Sequence, residues 1–430
     1  MNRFIYSFLL ILALPFVPIK LLWRARKQPE YAQHWGERFG FYNHKITKPL
    51  NKPIVWLHCV SVGETRAAQP LIDALSAQYP SYQILLTHGT PTGRQTGSAL
   101  FGSAVMQAYL PYDLPFAVNH FLRHFQPKIG LIMETELWFN LIAACKQQGV
   151  PLLLVNARLS EKSANGYTKL GKLVTQGLQN LSAISAQTEA DAARLQSLGA
   201  QNVTVDGNLK YDVKAPASLI AQGQLLRASF GDKRFVLVCA STREGEEALI
   251  LPNLQMLAAK HPQLLVLLVP RHPQRFAEVA RLLESQQLKF AYRSDLLQNT
   301  QTSQILQDNV QFVLGNSMGE LFAYYAACDV VFVGGSLLAL GGQNLIEPLS
   351  LQKPVLIGPH MFNFAEASAN AKQAGAALEV KSAAELAEKV ELLMLNQQQR
   401  DNMVKAAAAF NSKVGGATTR LMQLISTYLH

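Results

Sequence analysis

Short runs of Val, Ile and Leu recur along this chain, each followed by a stretch of helical periodicity, and this alternation limits the fold more than any other feature. Parallel strands need a crossover between them and are buried on both faces, so such a chain reads as doubly wound parallel sheet. Two series are visible. The first takes in IVWLHCV from Ile54, QILLTHG from Gln83, VMQAYLP from Val105, KIGLIME from Lys128, PLLLVNA from Pro151 and LSAISAQ from Leu181. The second runs through RFVLVCAS from Arg234, LLVLLVPRH from Leu264, KFAYRSD from Lys289, NVQFVL from Asn309, DVVFVGG from Asp329 and PVLIGPH from Pro354. A length of 430 residues is more than one core holds. The expectation is therefore an α/β chain of two Rossmann-like domains, residues 28–206 and 219–410, whose sheets face a cleft. GNLKYDVKAPAS (207–218) reads as a hinge, Leu297 to Asp308 as a surface loop, and 411–430 as a C-terminal helix.

The N-terminus has a different character. Phe4 to Trp23, FIYSFLLILALPFVPIKLLW, approaches the length of apolar chain that crosses a bilayer, although Pro15, Pro18 and Lys20 interrupt its far end. No small-x-small cleavage site follows it. Lys20, Arg24, Arg26 and Lys27 lie after the apolar core and only Arg3 before it, so residues 1–27 read as an anchor helix with a basic flank that keeps the remainder cytoplasmic. The formal charge of +10 calls for an anionic partner: nucleic acid, an acidic membrane surface or a phosphorylated substrate. Cys59, Cys145, Cys239 and Cys328 are far apart and form no C-x-x-C pair, which fits free thiols in a reducing compartment.

Ligands of open parallel sheets sit outside the carboxyl ends of the strands, so the loops there carry the candidates. Val331 to His360 reads as strand, glycine-rich turn, helix and strand. Gly334, Gly335, Gly341 and Gly342 leave bare amides around Ser336, and a helix over Asn344 to Leu351 would add its N-terminus to a phosphate site. Glu347, inside that helix, is placed for sugar hydroxyls; an ordinary crossover with packing glycines has the same pattern. CASTREGEE contributes Ser241 and Arg243, VPRHP contributes Arg271 and His272, and LGNSMGEL contributes Ser317, Met318 and Gly319. In the first domain SVGE puts Glu64 in a first helical turn, where it is either a capping acid or an ionised base. METELW adds Glu134 and Glu136 to the same rim. Acids so clustered raise at least one pKa unless a cation intervenes, and Arg66, Arg94, Arg158 and Lys162 are candidates for that or for holding phosphates.

Gly315-Asn316-Ser317-Met318-Gly319 also matches the nucleophile elbow of serine esterases between a strand and a helix. Against it, no acid follows at a later strand end, and only His360 falls where a triad histidine belongs. GTPTGRQTG from Gly89 lacks the spacing and lysine of a P-loop, His120 and His124 lack the glutamate of H-E-x-x-H, and no metal-ligand cluster emerges.

Taken together, the glycine-rich turn with its E-P pair, METELW, NARLSEKS, VPRHP and GPHMFNF resemble the Kdo transferases. These membrane-associated enzymes of lipopolysaccharide biosynthesis move 3-deoxy-D-manno-octulosonic acid (Kdo) from CMP-Kdo to lipid A precursor, lipid IVA. The likeness runs from the N-terminal segment through HWGERFG at His34 to the last helices. It implies the GT-B glycosyltransferase fold and Glu64 as the general base of an inverting transfer. On that reading Ser241, Arg243, Arg271, His272, Ser317, Met318, Gly319, Ser336, Asn344 and Glu347 serve the donor, and Arg66, Arg94, Glu134, Glu136, Arg158 and Lys162 the acceptor. Partners are CMP-Kdo, the lipid and an anionic membrane surface at the cytoplasmic face of the inner membrane, with no nucleic acid, cofactor or metal. Two positions depart from the family pattern: Gln343 stands where it has histidine, and Asn316 where it has aspartate. The alternatives are a membrane-anchored serine esterase using Ser317, and a GT-B transferase with another nucleotide sugar.

Overall fold

Every apolar run of the two series forms a strand, and every strand pairing is parallel. The computed structural model describes residues 1–42, 52–231, 233–296 and 306–429. Residues 297–305 of the expected surface loop thus lie outside the described residues. One unit comprises Met1–Asp212 and Val414–His430, the other Val213–Lys413.

The first unit holds β1 (Ile54–Cys59), β2 (Gln83–His88), β3 (Val105–Tyr109), β4 (Ile129–Met133), β5 (Leu152–Ala157), β6 (Ala183–Ala186) and β7 (Val203–Val205). They lie in the order β3-β2-β1-β4-β5-β6-β7. Successive side chains of β1 enter different cores, Ile54 and Trp56 on one face and Val55, Leu57 and Cys59 on the other, because a strand alternates its side chains. The helix Ala417–Ser426 adds Leu421, Met422 and Ile425 to the second of these cores. It is fastened by the Gly416 N–H to Asp212 Oδ1 (2.7 Å) and by Arg420 Nε to the Asp206 carbonyl (2.9 Å), so the chain ends in the unit where it began.

The second unit holds β8 (Phe235–Thr242), β9 (Leu264–Pro270), β10 (Phe290–Tyr292), β11 (Phe312–Leu314), β12 (Val330–Val333), β13 (Val355–Ile357) and β14 (Ala377–Glu379), in the order β10-β11-β9-β8-β12-β13-β14. Two strands went unread in the sequence, β7 and β14. Each is a three-residue edge strand, only partly buried, and so lacks the continuous apolar run that betrays a central parallel strand. In both sheets the strand order reverses beside the first strand, between β1 and β4 and between β8 and β12. Loops diverge at such a reversal and leave a crevice for a ligand.

The N-terminal stretch corrects an expectation. Phe4 to Trp23 is not one anchor helix but two, Arg3–Ala13 and Phe16–Ala25, bent by 55°. Pro15 and Pro18 have no N–H to continue the ladder, and the Leu14 carbonyl accepts from Val17 instead. No single helix among the described residues is long and apolar enough to cross a membrane. The first helix is tied to the unit through its polar side chains: Tyr6 donates to Asp113 Oδ2 (2.9 Å) and Ser7 to Asn140 Oδ1 (2.9 Å), while the Tyr6 ring meets Phe139 edge-on. Its opposite face and that of the second helix are bare. Phe4, Phe8, Leu12, Phe16, Ile19 and Trp23 are each 59% to 80% exposed.

Packing of the first sheet leaves no spare volume at Gly130, in β4 between β1 and β5. A methyl group there would lie 2.6 Å from the Trp56 ring and from Leu152. Gly130→Ala should destabilise this unit by about 1–3 kcal/mol, the usual cost of overpacking. Urea unfolding followed by Trp fluorescence measures it, and an unshifted midpoint would show that Trp56 repacks freely.

Candidate active site

The reversal between β1 and β4 gathers the three acids of the first unit. Ser61 caps the helix Val62–Ala67, its hydroxyl accepting from the Glu64 N–H (3.3 Å). Glu64 reaches back: Oε1 accepts from the Ser61 hydroxyl (2.8 Å) and Oε2 from the Val60 N–H (2.8 Å), a reciprocal capping arrangement. Capping therefore does not exclude proton acceptance, since the carboxylate, 8% exposed, is built into the cap and still carries unused lone pairs. Burial raises its pKa, the Val60 and Ser61 hydrogen bonds oppose that, and the nearby Glu134 pushes it up again.

Glu134 directly follows β4 with a left-handed backbone (φ 57°), a strained state for a residue with a side chain and one that clusters at functional loops. Glu136 is pushed up to about 7, by burial first and then by Glu64 and Glu134. The mutual repulsion expected from the sequence is present. The cation beside it is not one of the four candidates but Lys210, 3.7 Å from Glu134 Oε1. Lys210 was missed because it stands in the stretch read as a hinge, where no periodicity assigns a face. Arg94 is spoken for elsewhere: it pairs with the buried Glu37 at 2.9 Å and stacks on Tyr109. Arg66, Arg158 and Lys162 are exposed after β1 and β5.

In the second unit the glycine-rich turn corrects the sequence reading. The amides of Gly335, Ser336 and Leu337 do not await a phosphate; they donate to the buried carboxylate of Glu246 at 2.6, 3.1 and 3.2 Å. Ser336 is fully buried, its hydroxyl donating to the Val333 carbonyl and accepting the Gly358 N–H. The helix expected over Asn344 to Leu351 is only Ile346–Ser350. Asn344 Oδ1 accepts from the Ile346 N–H and its Nδ2 donates to Glu347 Oε1, both at 3.0 Å, so this pair organises the helix start. Ser241, at the end of β8, is buried with φ 56°.

Other donor candidates do present themselves to solvent. Arg271 and His272 are exposed immediately after β9, as are Met318 and Gly319 after β11. Arg243 and Gln343 flank Gly335, where an added Cβ would lie 3.3 Å from one and 3.4 Å from the other. Asn316 exchanges hydrogen bonds with Ser294 (3.0 and 2.9 Å). The Ser317 hydroxyl meets the Glu320 carboxylate and the Tyr324 phenol rather than an imidazole, and Glu320 in turn receives Arg293 (3.0 Å). That is not the Ser-His-acid arrangement of the nucleophile elbow, in which an imidazole takes the hydroxyl proton.

The Glu136 carboxyl makes stability depend on pH in a definite direction. Its proton is held more tightly in the folded chain than in the unfolded one, so between 4.5 and about 7 the folded state carries the extra proton and stability falls as pH rises. Glu136→Gln removes that loss. The variant should melt higher than the parent at pH 8 and gain less at pH 4; an equal gain at both would place Glu136 outside the acidic cluster.

Comparison with known proteins gives the same frame. Residues 33–213 match the family described as 3-Deoxy-D-manno-octulosonic-acid transferase (kdotransferase), and residues 257–410 match glycosyl transferases group 1. A 3-deoxy-D-manno-octulosonic acid transferase of Haemophilus influenzae is 38% identical over 432 residues, covering 100% of this chain and 99% of that protein. One of Bordetella pertussis is 41% identical over 424 residues, 96% of each. Among solved structures, UDP-GlcNAc 2-epimerase from Neisseria meningitidis matches with a TM-score of 0.57 at 16% identity, covering 87% of this chain and 100% of that one, a likeness of fold alone. With two parallel seven-stranded sheets and relatives that align end to end, the chain belongs to the 3-deoxy-D-manno-octulosonic acid transferase family of GT-B-like glycosyltransferases.

Proposed function

We infer that this chain transfers Kdo from CMP-Kdo to a lipid A precursor with inversion, a reading carried by its end-to-end identity with Kdo transferases. The sugar hangs from a single phosphate, so its bond to that oxygen breaks and CMP leaves as a phosphate monoester that needs cationic donors already in place. Arg243, Arg271 and His272 suit that role, with the backbone at Met318 and Gly319 in the loop after β11, the neighbour of β9. Glu347, oriented by Asn344, suits the ribose hydroxyls. The acceptor hydroxyl attacks the anomeric carbon, and Glu64 takes its proton. Burial and the charge of Glu134 keep that carboxylate more basic than an exposed one, which favours proton uptake. Arg66, Arg158 and Lys162, exposed on the same rim, suit the phosphates of the lipid.

Glu64→Gln separates the base from the cap. The amide oxygen can still accept the Val60 N–H and its nitrogen can donate to the Ser61 oxygen, so the local fold survives while proton acceptance does not. Turnover on CMP-Kdo and lipid acceptor should drop by about 10²–10⁴-fold with little change in melting temperature. A variant within a few-fold of the parent rate would remove Glu64 from the chemistry, and Glu136 would be the next acid to test.

For localisation we propose that the two N-terminal helices lie in the membrane interface rather than cross it. Support comes from the bend, from the bare apolar face and from the basic flank of Lys20, Arg24, Arg26 and Lys27, a combination suited to an anionic cytoplasmic leaflet. Replacing Phe4, Phe8, Leu12 and Phe16 together by Ser should release the protein from membranes and leave turnover on detergent-dispersed acceptor intact. Retention in the membrane fraction after a high-salt wash would assign the attachment to another surface.

A further inference from the structure

Within the second unit the glycine-rich turn is closed from inside by one side chain. Glu246 opens the helix Glu246–Lys260 and is fully buried. Its Oε2 accepts from the N–H groups of Gly335 (2.6 Å) and Arg243 (3.2 Å), and its Oε1 from those of Ser336 (3.1 Å) and Leu337 (3.2 Å). The amides belong to loops that follow β8 and β12, adjacent strands at the point where the order reverses. Glycines permit the contact: a Cβ on Gly334 would lie 2.6 Å from Thr242 Cα, and one on Gly358 2.2 Å from the Ser336 carbonyl. The next residue, Glu247, is equally buried; it accepts from the Thr242 hydroxyl (2.6 Å) and from both terminal nitrogens of Arg275 (2.8 and 2.9 Å). Two consecutive acids thereby tie together the loops after β8, β9 and β12, which carry Arg243, Arg271, His272 and Gln343.

An amide nest of this kind is an anion site, and here the anion is part of the chain. We propose that Glu246 is a positioning residue for nucleotide binding: its carboxylate fills the nest and thereby holds Arg243 and Gln343 on either side of Gly335, where the CMP moiety is gripped. The proposal rests on the donor reading given above for this unit. Burial raises the pKa of Glu246 while its four backbone donors lower it, so the carboxylate form depends on that turn as much as the turn depends on it. A neutral amide cannot replace it, because an –NH2 group would face two N–H donors and leave them unpaired.

The test is titration of CMP into the full-length, detergent-solubilised protein, with kinetics on CMP-Kdo alongside. Glu246→Gln should weaken CMP binding about tenfold or more, as loss of hydrogen bonds to a charged group requires, and should raise KM for CMP-Kdo more than it lowers kcat. Glu246→Asp keeps the charge one carbon further back and should recover part of the affinity. Leu393→Ala, a buried change in the same unit, controls for lost stability and should bind CMP like the parent. A folded Glu246→Gln with parental affinity would overturn the proposal, as would a Leu393→Ala protein that loses affinity equally. Failure of both Glu246 variants to fold where Leu393→Ala folds would also overturn it, by making the role purely structural. A parent protein that does not bind CMP would bring down the donor reading and this inference with it, whereas a defect absent from both Glu246 variants brings down the inference alone.

Discussion

A parallel strand cannot return beside its neighbour without a crossover, and this single constraint arranges the protein. Both sheets are wholly parallel, so all strands of a sheet end on one edge and every loop there is free to carry chemistry. Covering both faces with helices buries the central strands β1, β4, β5, β8 and β9 completely and makes them predominantly apolar, with polar residues such as His58, Asn156, Ser241 and Thr242 near their carboxyl ends. Polar function is thereby expelled to the strand ends.

At those ends the two units use one device in two ways. Glu64 follows β1 and Glu246 follows β8, each in the first turn of the helix after the opening strand of its sheet. Glu64 is incompletely satisfied, and burial together with the like charge of Glu134 keeps its proton affinity up. Glu246 is saturated by four amides and has no accessible surface, so it organises a loop and meets no ligand. Residue type and position along the chain are the same; what differs is the number of donors that the neighbouring strand brings. That neighbour is β4 in one sheet and β12 in the other, both remote in sequence.

Fold class was legible because it depends on period and composition, which are local. Twelve strands announce themselves as apolar runs, whereas the edge strands β7 and β14, interrupted by the polar Thr204 and Glu379, do not. Glu64 was legible as a first-turn acid after a strand, and the crowding of Glu134 and Glu136 followed from their sharing a rim. Pro15 and Pro18 marked the weak point of the expected N-terminal helix, but their consequence depends on how the freed carbonyls are satisfied, and here Leu14 takes the Val17 N–H at a bend of 55°.

The sequence by itself determined two parallel sheets, the loops where chemistry belongs and the family, since each follows from side-chain patterns read along the chain. Only the tertiary structure decided which groups at those loops are already spent. Three amides of the glycine-rich region look available until β8 and β12 pair and bring Glu246 to them. Lys210 reaches Glu134, and Arg94 is drawn to Glu37, across separations that no local pattern records. A hydrogen bond or ion pair needs partners within about 3–4 Å, and closeness of that kind between distant residues exists only once the strands have been ordered.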